Sequence, residues 1–336
     1  MTELVTTTAP APACCSDVVL PGTAERIITG IPENTRRSYT EAWRQFTDWC
    51  ATTGRQPLPT TAATLADFTA HLCDLGKAPS TISHRMAVVS AQNQINGYPP
   101  LGKQTRKAAN LVLRGYRRDR ASTAQRTKQA PPITRERLRM MSAACDPNTL
   151  TGKRDRLLLV IGWALAGRRS ELAALRIEDV RIADDELEIL IRSSKTDKDS
   201  EGEMVDVPAG EHVDTDPVGL LNDWLTALAD AGVDNTSGPL FRAITQHDRL
   251  YRYGSLSPAA INGIVRRAAI RAGLPNAHLY TAHSLRAGFA TQASADGIPM
   301  SIWAEHGRWE KTSPVPAKYV RRADRKRDNP LRKMGL

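Results

Sequence analysis

From its midpoint onward, this 336-residue chain carries in order a set of side chains that suits attack on a phosphodiester. Arg168 stands in Gly167-Arg-Arg-Ser-Glu-Leu172, with Glu171 three residues further on, and Lys195 lies in Ser194-Lys-Thr196. His283 and Arg286 share the run His-Ser-Leu-Arg, His306 and Trp309 share His-Gly-Arg-Trp, and Tyr319 follows ten residues after Trp309. In phosphoryl transfer without a metal ion, the non-bridging oxygens gain charge in the transition state, and two guanidinium forks can neutralise it bidentately. Arg168 and Arg286 are the candidates. A Lys or His must protonate the leaving 5′ oxygen, so Lys195 and His283 both qualify. Trp309 or His306 can donate a further N–H to the phosphate. Tyr319 is the candidate nucleophile, forming a covalent intermediate that keeps the ester's energy. A phenol ionises only near pH ~10 in water, so it needs the positive surroundings these residues supply.

Singly, each piece has a plainer reading. His-x-x-Arg on a helix is commonly a surface pair, Arg-Arg-Ser-Glu after a helix a structural salt bridge, Lys195 a loop lysine and Tyr319 a packing residue. The specificity lies in their combination, order and spacing.

The elements around them follow from periodicity. A helix opens near Thr134, and a mostly apolar helix over 153–166 leads into Arg168. The runs 187–192 and 204–208 have strand length and flank a polar turn, which puts Lys195 at the tip of a β-hairpin. Helices are predicted near 218–231, 257–272, 283–295 and 300–305, the third setting His283 and Arg286 at i,i+3 on one face.

Upstream, residues 1–29 are rich in Thr, Ala and Pro and are expected to be disordered. Four helices follow, at about 34–52, 62–75, 80–97 and 103–118, forming a first domain over 30–118. At about 100° per residue, Lys103, Arg106, Lys107, Arg114, Arg117 and Arg118 of the fourth helix fall within an arc of about 120°. Ala109, Val112, Leu113 and Tyr116 lie opposite. One packed and one basic face suit a helix lying along a phosphate backbone; a solvated surface stripe is the plainer alternative. Residues 119–132 read as a basic linker, and a second domain covers 133–336.

Composition narrows the class. The net charge of +10 favours a polyanionic partner. The cysteines (Cys14, Cys15, Cys50, Cys73, Cys145) are odd in number and form no CxxC, and the histidines form no HExxH, so neither a disulfide framework nor a metal site is expected. No apolar run can span a bilayer and no signal peptide opens the chain, so a cytoplasmic protein without membrane contact is expected.

The ordered set resembles the tyrosine recombinases, the phage-integrase-like family, in their two-domain Cre/Xer-like kind. The resemblance rests on Arg168 with Glu171, Lys195, His283-x-x-Arg286, Trp309 with His306 in the run HGRW, and Tyr319, and covers roughly 30–330. It implies a mainly α fold with a small antiparallel β-sheet: a four-helix, SAM-like core-binding domain that clamps DNA, followed by the catalytic domain. It also implies site-specific recombination through a 3′-phosphotyrosyl link and a Holliday junction, without cofactor, metal or ATP. Its partners would be double-stranded DNA with inverted-repeat sites and three further copies of the chain, the free protein being a monomer or weak dimer. Two departures stand out: the Trp309–Tyr319 spacing is ten residues rather than nine, and Pro314 and Pro316 are expected to break the helix before Tyr319. Type IB topoisomerase-like activity and a catalytically degenerate DNA-binding protein are the alternatives.

Overall fold

A computed structural model of the chain describes residues 26, 30, 31, 33–123, 130–192, 202–320, 331 and 334. The expectations for most of 1–29, for 124–129 of the linker, for Lys195 and its turn, and for most of the tail beyond Val320 lie outside these residues. The chain divides into two compact units, 1–127 and 128–336, each with its own core.

The first unit is built from helices α1 (Glu33–Thr52), α2 (Ala62–Asp74), α3 (Pro79–Ile95) and α4 (Lys103–Ser122). Ala42, Phe46, Trp49 and Cys50 recur at helical spacing on α1 and are buried. Phe46 meets Phe68 of α2 edge to face, 5.0 Å between centroids, and Leu65, Leu72, Ile82, Val89 and Leu113 complete the core. Thr61 caps α2 by accepting from the Thr64 N–H, and α3 starts on Pro79, whose fixed φ suits a first turn. α4 corrects the linker boundary, because residues 119–122 continue the helix. Arg120 holds that last turn, donating to the Tyr116 hydroxyl and lying over its ring, while the hydroxyl donates to the Lys77 carbonyl.

The second unit surrounds one central helix. After α5 (Arg135–Ala143) comes α6 (Leu150–Ala164), buried along nearly its whole length. Its second half, Leu157–Ala164, is apolar all round, as a central core helix requires, while in its first half the buried Arg154 and Asp155 pair with each other at 2.6 Å. Asp248 caps it from a distant loop, accepting from the Leu150 and Thr151 N–H groups. α7 (Arg169–Ala174) follows, then an antiparallel sheet in the order β1 (Val180–Ala183), β2 (Glu186–Ile191), β3 (Glu203–Pro208). Leu187, Ile189, Ile191, Val205 and Val207 alternate inward onto the core. The β2–β3 register ends at Ile191↔Glu203, so the segment holding Lys195 joins these two strands.

α8 (Pro217–Asp230), a two-stranded pair β4 (Arg242–Ile244) and β5 (Leu250–Ser255), α9 (Pro258–Arg271), α10 (Ala282–Ala295) and α11 (Met300–His306) complete the order. Gly288 on α10 is required by packing: a Cβ there would sit 1.8 Å from the Ile133 carbonyl oxygen. That contact seats the incoming chain, whose Ile133 N–H bonds to the Ser284 carbonyl. The mainly helical fold with small antiparallel sheets is as expected. Pro314 and Pro316, however, do not break the last helix, because residues 315–320 are helical and the prolines occupy its start, where a missing N–H costs nothing. Among the described residues no helix is long and apolar enough to cross a membrane.

Candidate active site

The C-terminus of α6 anchors the site. The last carbonyls of a helix lack intrahelical partners and carry its negative pole. Here three successive ones each accept from a basic side chain, two from the 306–308 turn and one from α10. Ala164 accepts from His306 Nε2 at 2.7 Å, Leu165 from Arg308 at 2.8 Å, and Ala166 from Arg286 at 2.6 Å. Beyond them the chain turns sharply, with Ala166 at φ 46°, and delivers Arg168 to the start of α7.

Arg168 is oriented by Glu171. The carboxylate accepts from the Arg168 backbone N–H at 2.9 Å and from its guanidinium at 2.5 Å, and a second guanidinium nitrogen donates to the Arg308 carbonyl at 2.9 Å. Burial alone would raise the Glu171 pKa, but the Arg168 backbone N–H and the Arg308 and Arg168 charges outweigh it, so the acid is held below its ordinary range and stays ionised.

His283 and Arg286 occupy consecutive turns of α10, as i,i+3 spacing requires, with Arg286 buried and His283 nearer the surface, its ring partly shielded by the groups around it. The Arg286 guanidinium lies over the Trp309 ring, 3.7 Å from its centroid. Burial, followed by repulsion from Arg168, pushes the Arg286 pKa down to about 9. It remains charged at neutral pH, and a bound phosphate would relieve this repulsion. Burial, and then the Arg286 charge, also lowers the His283 pKa, which keeps its imidazole neutral near pH 7.

Tyr319 is buried in one apolar cluster with Trp303 and with Ala287, Ala290 and Ala293 of α10. It meets Trp309 edge to face, and its hydroxyl lies 3.3 Å from His283 Nε2. A neutral imidazole there accepts the phenolic hydrogen. Tyr280, the other tyrosine near these motifs, is fully buried in the core beside Ile133 and Leu138.

Arg168, Glu171, His283, Arg286, Trp309 and Tyr319 therefore converge. His306 does not turn towards them: its Nε2 donates to Ala164 and its ring stacks on Phe289, so it fastens the end of α11. Lys195 lies outside the described residues. The sequence reading passed over Arg308, buried in this cluster at φ 56°. A left-handed backbone costs a non-glycine residue about 1–2 kcal/mol, and the only trace in the sequence is an arginine between Gly307 and Trp309. Gly307 has a steric role, since a Cβ would meet the Trp309 ring at 1.8 Å. In the other unit, Lys103, Arg106, Lys107, Arg114, Arg117 and Arg118 are all exposed along α4, while Ala109 and Leu113 are buried. Arg117 also donates to Ser83 of α3.

The fold is that of DNA recombinases of known structure. The Tn1549 transposon integrase (residues 82–397), solved with circular intermediate DNA, superposes with a TM-score of 0.56 at 14% identity, covering 89% of this chain and 92% of that one. A lambda integrase tetramer bound to a Holliday junction gives 0.53 at 16% identity, over 89% of this chain and 75% of that one. By sequence, residues 133–326 match the model of the phage integrase family. An integrase/recombinase XerD homologue of Selenomonas ruminantium is 31% identical over 305 residues, 90% of this chain and 85% of that protein. The chain belongs to the phage integrase family of tyrosine recombinases.

Proposed function

We infer that this protein is a site-specific DNA recombinase in which Tyr319 cuts and rejoins duplex DNA through a 3′-phosphotyrosyl link. One observation carries the reading: the Tyr319 hydroxyl lies 3.3 Å from a neutral His283 Nε2. Tyr319 gives its proton to His283 and attacks phosphorus, and the bond to the 5′ oxygen breaks. Arg168 and Arg286 hold the non-bridging oxygens, with the Trp309 N–H as a further donor. Lys195, on the β2–β3 connection, protonates the leaving oxygen. One ester replaces another, so the step conserves its energy and draws on no ATP. The freed 5′ hydroxyl then attacks the phosphotyrosyl link of a partner duplex and releases Tyr319. A second round resolves the resulting Holliday junction.

In this reading residues 30–118 form a core-binding domain that clamps DNA through the basic face of α4. A homotetramer assembles on inverted-repeat sites in the cytoplasm. That lambda integrase, a protein of the same fold, was solved as a tetramer on a Holliday junction supports this assembly.

The test is covalent capture. The protein is incubated with DNA from its own genetic neighbourhood, then denatured and examined for protein joined to DNA. A 3′-linked adduct that disappears in Tyr319→Phe is expected, and sequencing the captured DNA reads out the site. An adduct that survives Tyr319→Phe moves the nucleophile elsewhere. No adduct on DNA that the protein binds overturns the catalytic reading.

A further inference from the structure

The Arg308 side chain is enclosed more fully than that of Arg168, at 1% exposed against 19%. Its guanidinium donates to the His306 carbonyl at 3.0 Å, the Leu165 carbonyl at 2.8 Å and Glu171 Oε2 at 3.2 Å. Its own carbonyl accepts from the Arg168 guanidinium at 2.9 Å. Its neighbour in the chain is Trp309, whose face lies under Arg286. Residue 308 thus reaches the Glu171 carboxylate through its side chain, Arg168 through its backbone carbonyl, and Arg286 by way of the adjacent Trp309.

Charge gives this arrangement a purpose. Arg168 and Arg308 share the single buried carboxylate of Glu171, so the trio keeps a net positive charge. Without the Arg308 guanidinium, Glu171 Oε2 would lose its cation and Arg168 would be the carboxylate's sole ion-pair partner among the described residues, so the carboxylate would hold the Arg168 fork more tightly but in a less fixed orientation. The backbone points the same way. Residue 308 has φ 56°, a conformation glycine adopts freely and arginine does not, so the arginine is kept at the expense of local strain.

We propose that Arg308 is a positioning residue for DNA cleavage, holding Arg168 through Glu171 and the 308 carbonyl and fixing Trp309 against Arg286, without itself touching the phosphate. This rests on the recombinase reading above.

The experiment measures single-turnover adduct formation on the duplex captured with the wild-type protein, alongside DNA affinity by mobility shift and thermal unfolding. Arg308→Gly suits the backbone conformation. It is expected to bind DNA within about threefold of wild type yet to cleave at least about 30-fold more slowly. Because Arg308 acts through Arg168, the double variant Arg308→Gly/Arg168→Ala should be no more than about threefold slower than Arg168→Ala alone. A merely structural role would slow both backgrounds equally, and that outcome overturns the proposal, as does wild-type cleavage by Arg308→Gly. Should Arg308→Gly unfold, Arg308→Lys decides. It keeps the buried charge but not the three-way fork, and slow cleavage by a folded protein is expected, whereas a wild-type rate overturns the proposal. If the wild type itself forms no Tyr319-dependent adduct, the recombinase reading fails first, so the two failures are distinguishable.

Discussion

At the scale of single residues, the site is a balance of charges set by burial. In the proposed mechanism His283 takes the first proton, and its pKa lies below the ordinary value of 6.5 because burial and the Arg286 charge disfavour the imidazolium. A base must be neutral to act, so cleavage should fall as pH drops through that lowered pKa and be flat above it. Measured as the second-order rate of adduct formation, which reports the free enzyme, the acidic limb should be centred below pH 6.5. His283→Ala should be slower by about 100-fold and lack this acidic limb. A limb centred above pH 6.5 in the wild type would remove His283 from the role. Of the residues that meet here, Arg168, Glu171, His283, Arg286, Trp309 and Tyr319 were legible from order and spacing. Arg308 was not, because its partners are mostly backbone carbonyls, and a carbonyl has no signature in the sequence.

At the scale of elements, strong periodicity was easy to read and short or irregular structure was not. α8, α9 and α10 agree with the sequence to within about two residues, since each buries a regular apolar face. β1 escaped notice because its residues, Val180-Arg-Ile-Ala183, are half-buried to exposed and include a charge. β4 and β5 were missed because β4 has three residues and the pair carries a register irregularity. Pro314 and Pro316 misled for a different reason: proline breaks a helix interior but fits a first turn, and the sequence does not say where the first turn falls. The connection between α11 and the Tyr319 helix is where element geometry meets chemistry. Trp309 is held by Trp303 edge to face on one side and by Arg286 on the other, so its ring has little room to yield to a Cβ at Gly307. Gly307→Ala should therefore displace the indole and slow adduct formation by about 10–100-fold, the scale expected when a catalytic group is misplaced by about 1 Å. DNA affinity should stay near wild type, because the change lies at the reacting centre. An unchanged cleavage rate would mean that the Trp309 position does not matter to the chemistry.

At the scale of the whole molecule, the question is how a chain of net charge +10 divides its positive charge between chemistry and grip. The cations of the catalytic cluster are largely committed to protein partners, and in the proposed mechanism they meet a single phosphate. The six on α4 are exposed, on a helix whose other face is packed. Counterion release makes the two contributions separable: each phosphate neutralised on duplex DNA contributes about 0.9 to the slope of log affinity against log salt. If α4 lies along the backbone, replacing Lys107 and Arg114 together by Ala should flatten that slope by about 2 and weaken binding by about 10–100-fold near 0.15 M salt. The loss should be nearly equal on target and unrelated duplexes, because phosphate contacts carry no sequence information. Arg117→Ala should change the slope less than either of these residues, since its guanidinium is already engaged by Ser83. Tyr319→Phe should leave the slope untouched. Titrations at several salt concentrations, scored by mobility shift, separate these outcomes. A slope unchanged in the Lys107/Arg114 double variant would make the α4 face a solvated stripe and send the search for the DNA grip to another surface of the first unit.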